Sequence, residues 1–382
     1  MAATYSWLAV EARTGVVIAD LPDLSCDKVS TQIGTYTTTT AKLPVGTRRT
    51  PENWLRATKP GATFLVVVDD ASDLPVWGGL LTKRTRTEGD TIDVSLATAE
   101  AYFDRRYVGD EVFGSADPFV GVDQNTIVTT LVAKYAAAGS NGGLPLRLER
   151  IGSAGTARTR TYADQSDKTL YSALTELMAV DGGPEWTVGW ERTGTIITPV
   201  LQVGTRLGRA VTPNLSPNAT FEIPGPVSDA EYSEDYSSSG GANDVLATSS
   251  ASGDERPQSR HVVTRDPERP TFEQRFSPST SITDVGTLED HATARAAAVR
   301  DGALALSLGS VTKSAPRVGI DWNAGDDIGY VVGGPDRLGR ETVPGFPGGL
   351  TGVARAVGWE LSFESASSPE KITPVLQDPE EA

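Results

Sequence analysis

With 382 residues, the chain is long enough for two or three domains at about 150 residues each, which excludes a single small module. Its 38% hydrophobic content suits a globular protein, and its 39 glycines and 24 prolines favour short strands and turns over a helix bundle. A formal net charge of −16 and a pI near 4.7 exclude affinity built on phosphate neutralisation, although a lumen through which nucleic acid slides without sticking tolerates that sign.

Of the 34 basic residues 26 are Arg, a bias that fits GC-rich coding. The single cysteine, Cys26, has no partner for an intrachain disulfide and reads as a buried small hydrophobe. The stretch Met1–Val10 lacks a basic leader region, and Glu11 and Arg13 end it too early for a signal peptide. Apolar runs such as Phe64–Val68 fall far short of the roughly 18 residues that a membrane helix needs, so no membrane insertion is expected.

The first hundred residues predict strands at Tyr5–Val10, Val16–Ala19, Leu24–Val29, Thr35–Lys42, Thr63–Asp69, Val76–Thr87 and Thr91–Ala97, the last two joined by the hairpin turn Glu88-Gly89-Asp90. One short helix interrupts them, with Thr50 as N-cap, Pro51 in the first position, and Trp54 and Leu55 facing inward. A helical turn follows at Thr98–Tyr107. Beyond residue 111 the pattern turns to helices. Asp123 caps one that carries Ile127, Leu131, Val132 and Tyr135 and stops at Gly139. Ser166 caps a second with Leu170, Leu174, Leu177 and Met178, ended by Gly182. Glu185–Glu191 and Thr195–Gln202 form a hairpin, so residues 111–222 read as a separate α+β domain.

After Pro224-Gly225-Pro226 strands return at Val227–Tyr236 and Ala242–Ala251, followed by a polar loop over Ser252–Asp266. A helix is expected at Thr287–Arg300, with Thr287 and Asp290 at its start. Strands follow at Leu304–Val311, Asp327–Val332 and Gly352–Ser362, Gly333–Gly349 is a long loop, and Ser365–Ala382 reads as an acidic flexible tail.

Signatures of chemistry are sparse. His261 and His291 have no neighbour at metal-ligand spacing, and no nucleophile elbow, P-loop or dinucleotide fingerprint occurs. The stretch Asp321–Asp327 has a calcium-loop flavour, but its glycine falls one place early and Val332 stands where a bidentate carboxylate belongs. Asp69, Asp70 and Asp73, or Asp326 and Asp327, are clustered acids of the kind that glycosidases pair; at strand ends such neighbours ordinarily solvate a turn. Asn214-Leu215-Ser216 and Asn218-Ala219-Thr220 match the N-glycosylation pattern.

Four segments in series are more informative: Val76-Trp77-Gly78-Gly79, the run Ala99–Arg106, Asp123-Gln124 opening a helix, and Asp181-Gly182-Gly183-Pro184-Glu185-Trp186. In that order and spacing they resemble the tail-hub, or minor tail, proteins of long-tailed siphophages of actinobacteria. Weaker similarity extends to Val203–Gly208, Gly240–Val245 and Ala324-Gly325-Asp326, while Glu255–Arg269 matches nothing in that pattern.

The resemblance implies a β-rich multi-domain (α+β) fold like the baseplate hub of contractile tails. It has a first β-barrel tube domain at 1–110, an α+β domain at 111–222, and a second β-barrel tube domain at 223–253 and 303–365. The second barrel carries an insertion with a helix at 254–302, and a flexible acidic tail occupies 366–382. It also implies a homotrimeric ring in the virion tail tip, in which six related barrels match a sixfold tube. Partners would be further copies of the chain, the distal tail protein, the tape measure protein, and tail fibre or tip proteins, with DNA passing through the lumen. No catalytic residue, metal or cofactor is called for. Arg105 and Arg106 are the interface candidates, although pairing with nearby acids is the simpler reading of both. Trp77, Tyr102, Phe103 and Trp186 read most simply as core aromatics. The alternatives are an envelope-degrading hydrolase, which needs converging carboxylates or a metal triad, and a carbohydrate-binding module, which needs Trp322, Phe346 or Trp359 along a groove.

Overall fold

A computed structural model describes residues 5–109, 116–137, 142–180, 182–237, 240–249, 256–278, 285–365 and 368–377. Two compact units emerge, one built from Met1–Ser228 and Gly309–Val375, the other chiefly from Asp229–Leu308. The described residues are rich in strands, with few helices.

In the first unit a seven-stranded sheet runs in the order Val17–Asp20, Tyr5–Glu11, Thr63–Asp69, Leu74–Arg86, Thr91–Thr98, Thr38–Pro44 and Ser25–Cys26. Thr63–Asp69 is buried at every position. An unbroken apolar run of this kind forms where both faces of a strand are covered. Phe64 and Val66 share one core with Ile127 and Leu131 of the helix Gln124–Tyr135, with Leu174 of the helix Leu170–Met178, and with Trp186 and Leu201 of the strands beyond. Each such side chain contributes roughly 1.5–3 kcal/mol of transfer free energy. The expectation of a separate domain at 111–222 is therefore corrected: that region and the first sheet bury a single core within one unit. Periodicity reveals that a strand is covered on both faces but not what covers it.

Local chemistry explains most of the elements. Asp123 caps its helix, accepting from the Thr126 N–H at 2.9 Å, as expected; Gly139, the expected stop, lies outside the described residues. The second helix is capped by Thr169, whose hydroxyl accepts from the Ser172 N–H at 3.1 Å, and not by Ser166, which sits in the preceding 3-10 turn. The short helix near residue 54 covers only Trp54–Ala57, with Asn53 at its N-cap. It turns Ala57 inward and leaves Leu55 48% exposed, and Thr50 is engaged by the preceding turn, donating to the Pro44 carbonyl. Between residues 111 and 204, three strands carried no clear signal. Ala116–Asp123 and Ala157–Ala163 form a two-stranded ribbon, and Arg147–Ile151 pairs in parallel with Ile196–Gly204, itself antiparallel to Glu185–Thr193.

The predicted strand Leu24–Val29 divides at Asp27. Ser25–Cys26 stays in the first sheet, while Lys28–Gln32 crosses to pair with Leu350–Ser362 in a second seven-stranded sheet. That sheet runs Thr220–Ile223, Asp327–Val332, Leu350–Ser362, Lys371–Leu376, Ala303–Val311 and Val227–Asp235, with Lys28–Gln32 added at Leu350–Ser362. Lys371–Leu376 corrects the flexible-tail expectation. It has buried Ile372 and Pro374, and main-chain pairing with Ser310 and Val311 offsets the proline break. Residues 366, 367 and 378–382 of that expected tail lie outside the described residues.

The second unit corrects the expected insertion boundary of 254–302. Asp244–Ala247, expected in the second barrel, instead centres a three-stranded sheet with Val262–Val263 and Glu273–Phe276. This sheet packs on the helix Val285–Val299, whose Leu288, Ala292, Ala296 and Val299 recur at helical spacing and meet Ala242, Val245 and Ala247. Thr287 lies inside that helix, and its side chain is outside the described residues. The unmatched segment Glu255–Arg269 supplies Val262–Val263 to the sheet, and Arg269 stacks 4.4 Å over the Tyr236 ring.

Candidate functional site

The described residues of the four segments in series lie within the first unit, where they act mainly by packing; Gly240–Val245 belongs to the second unit, and Asp181 lies outside the described residues. Leu74–Arg86 carries a bulge at Val76, since pairing steps from Val68↔Pro75 to Val67↔Trp77. Trp77 points inward, 2% exposed; it donates from Nε1 to the Ser30 carbonyl at 2.9 Å and meets Trp7 edge-on. Gly78 lies flush against Trp190: a Cβ there would stand 2.4 Å from its ring.

The run Ala99–Arg105 is a 3-10 helix. Phe103 packs in the core beside Trp186, and the buried Glu100 accepts from the Val188 N–H at 2.9 Å. Burial pushes the Glu100 carboxyl above the ordinary carboxylate range, against hydrogen bonds that favour ionisation. A raised folded-state value makes this contribution to stability complete below the unfolded value and lost as pH rises through the folded one. Glu100→Gln removes that loss. Thermal unfolding at pH 5 and pH 8 is expected to show a smaller drop for the variant than for the parent; equal drops would refute the assignment.

The two interface candidates part company. Arg106 is engaged within its own chain: Nε donates to the Tyr135 carbonyl, the guanidinium lies 6.0 Å from the Tyr102 ring centroid, and its carbonyl accepts from the Leu170 N–H at 2.7 Å. Arg105 is exposed and has no carboxylate within ion-pair distance among the described residues.

The densest polar cluster lies where the Glu185 motif meets residues far along the chain. Arg355 clasps Glu185 through Nη1–Oε1 at 2.7 Å and Nη2–Oε2 at 2.5 Å, both side chains about 15% exposed. Arg355 also donates to the carbonyls of Leu207 at 3.1 Å and Gly325 at 3.3 Å, while Glu185 accepts from the Leu207 N–H at 2.6 Å. Beside it Arg206 pairs with Asp327 at 2.6 Å, and Asp326 accepts from the Arg209 N–H at 2.6 Å. Gly208, at φ +74°, presses on Gly325, so that a Cβ would stand 2.0 Å from the Gly325 carbonyl carbon. Val203–Gly208 and Ala324–Asp326 thus form one joint. No local signal pairs Glu185 with Arg355, which lies 170 positions away.

Others among the candidate acids hold turns or pair with arginines. Asp69 accepts from the Ala71 and Ser72 N–H groups, Asp73 pairs with Arg192, and Asp321 accepts from the Arg317 N–H. No three His, Cys, Asp or Glu side chains gather as metal ligands among the described residues. His261 meets Asp244 at 2.6 Å, and Cys26 is buried, with burial pushing its thiol up. Trp322 is 1% exposed and packed on Phe221, and Trp359 is 3% exposed, so neither offers an open ring face.

A cleft of about 430 Å³ lies at this junction, lined among others by Leu74, Val76, Trp190, Arg209, Val318 and Trp359. A smaller pocket of about 80 Å³, lined by several of the same residues, reaches Thr98 and Thr187.

No family model matches the chain, and no curated protein matches it. Among solved structures, the 43 kDa tail protein of prophage MuSo2 from Shewanella oneidensis aligns with a TM-score of 0.57 at 11% identity, over 98% of both chains. The tail protein from Neisseria meningitidis MC58 aligns with a TM-score of 0.54 at 13% identity, over 98% of this chain and 97% of its own. Over nearly its whole length, the chain shares the fold of these two tail proteins.

Proposed function

We propose that the chain is a non-enzymatic structural protein of a phage tail, a hub subunit of which three copies close into a ring at the host-facing tip. The observation that carries this reading is the likeness to two tail proteins along 98% of the chain. The sheet topology adds support. Thr63–Asp69, Leu74–Arg86 and Thr91–Thr98 form a sequential meander followed in the sheet by Thr38–Pro44; Asp327–Val332, Leu350–Ser362 and Lys371–Leu376 form another followed by Ala303–Val311. Both middle strands have 13 residues. This repeated order fits two barrel-type tube domains produced by duplication, the second interrupted between its strands Val227–Asp235 and Ala303–Val311.

Three such chains present six modules to a sixfold tube, and heterologous contacts close the ring while covering strand edges. The ring then contacts the distal tail protein above, the tape measure protein within, and fibre or tip proteins below. An acidic chain suits a lumen that DNA traverses without binding. Arg105, exposed and with no carboxylate at ion-pair distance among the described residues, takes the interface role, and Arg106 positions the backbone beside it.

Native mass spectrometry of the ring released from the tail tip is expected to give three times the 40.3 kDa chain mass. Arg105→Glu shifts that population toward monomer and leaves the unfolding temperature unchanged. A tip containing other than three copies, or a particle map without this chain at the tip, would overturn the reading.

A further inference from the structure

We infer that copies of the chain meet through the opening half of the strand Leu350–Ser362 on one copy and the closing half of Leu74–Arg86 on the next. The inference rests on the proposed ring and deepens it by naming the joint between copies. These two strands, each of 13 residues, hold equivalent places in the repeated sheet order, and their burial runs in opposite directions. Five of residues 74–81 are buried and none of 82–86, whereas none of residues 350–355 is buried and four of 356–362 are.

A contact inside the chain accounts for both covered halves. The strand Lys28–Gln32 pairs with residues 358–362, and its Ser30 carbonyl accepts from Trp77 at 2.9 Å. Trp7, edge-on to Trp77, also meets Phe363 with ring centroids 5.5 Å apart. Arg317 reaches to 3.6 Å from the buried Asp69, and a Cβ at Gly319 would stand 3.4 Å from Val76 Cγ1. Trp190 completes the cover at Gly78. The first module thus contributes the start of its long strand, and the second contributes the end of its own. Such a contact is heterologous: it joins two different patches of one kind of module and leaves each module with the patch that the other has used. Where duplicated modules alternate around a ring, the same contact recurs between chains with the roles exchanged. The occupant of the free patches is therefore a second copy.

Both unused patches carry apolar side chains on ordered backbone. Val353 is 47% exposed, and the loop 333–349 leading into its strand holds Leu338 at 73%. Side chains of the loop fix its path: Asp336 accepts from the N–H groups of Leu338 at 2.7 Å and Arg340 at 2.9 Å, and Glu341 accepts from the Gly348 N–H at 3.1 Å. On the other patch Arg84 donates to the Leu55 carbonyl at 2.8 Å, which holds the short helix and its exposed Leu55 beside the end of the strand. Exposed charges of both signs stand on each patch, among them Arg337, Arg340 and Glu341 on one and Arg86, Glu88 and Asp90 on the other. Copies of an acidic chain therefore meet there without facing fields of one sign.

The test places the photo-crosslinker p-benzoylphenylalanine at position 353 of the full chain in assembled tails and maps its adducts by mass spectrometry. The expected product is a crosslinked dimer whose adducts fall on residues 82–91 or Trp54–Ala57 of a second copy. Adducts confined to any other segment, including the strand Leu350–Ser362 of the second copy, would overturn the assignment. Val353→Asp combined with Leu338→Asp is expected to convert the released ring to monomer with the unfolding temperature unchanged, and a ring that keeps its mass in that variant would overturn it too. Should the variant lose its fold, the adduct map alone decides. The two readings fail separately: an assembly of other than three copies removes the ring and this joint with it, whereas a three-copy ring with adducts elsewhere removes only the joint.

Discussion

Arg355→Ala is expected to lower the unfolding free energy by about 3–5 kcal/mol, read as a shift of the urea midpoint at unchanged slope. The guanidinium holds both oxygens of Glu185 and two backbone carbonyls, so its removal leaves a largely buried carboxylate and two acceptors with fewer partners. Glu185→Ala carries a cost of the same order, because it strands the guanidinium and frees the Leu207 N–H. The double variant should cost less than the sum, since neither partner then leaves the other as an uncompensated charge. Additive losses would mean that the pair is not energetically coupled. Replacing both together with Met at 355 and Gln at 185 separates the worth of the charges from the worth of the volume, because buried ion pairs are frequently matched by apolar packing.

The second large effect belongs to Gly208→Ala. At φ +74° an L side chain incurs about 1–3 kcal/mol of backbone strain, and here the added Cβ also falls 2.0 Å from the Gly325 carbonyl carbon. The obstruction is backbone on backbone, so no side chain can swing aside, and the joint between Leu207–Gly208 and Gly325–Asp326 must open. The total loss is expected to exceed about 3 kcal/mol. Gly46 provides the comparison: its φ is +80°, yet nothing lies within 4 Å of its Cβ position, so Gly46→Ala should show the conformational cost alone. Equal midpoints for the two variants in urea denaturation would refute the close-approach argument.

Particular residues show how far sequence carries. Asp123 announced its helix because a cap acts on groups three residues away, and the strand Thr63–Asp69 announced itself through an unbroken apolar run. Thr169 displaced Ser166 as a cap because two nearby hydroxyls offer the same chemistry and only the path of the chain into the helix selects one. Trp77 and Trp186 were recognisable as core aromatics, and both are buried. Arg105 and Arg106 were indistinguishable as adjacent arginines. The carbonyl of Tyr135 and the ring of Tyr102 separate them.

Most strands of the first sheet, the helix capped by Asp123 and the lack of familiar catalytic motifs were written in the sequence, because each depends on residues within a few positions of one another. Tertiary structure alone decided that Lys28–Gln32 would leave its sheet for Leu350–Ser362, that residues 371–376 would become a strand, and that Asp244–Ala247 would join the separate unit. It also brought Glu185 to Arg355. Such pairings are chosen by which surfaces remain after local elements form and by the entropy of closing long loops, neither of which a short window of residues contains.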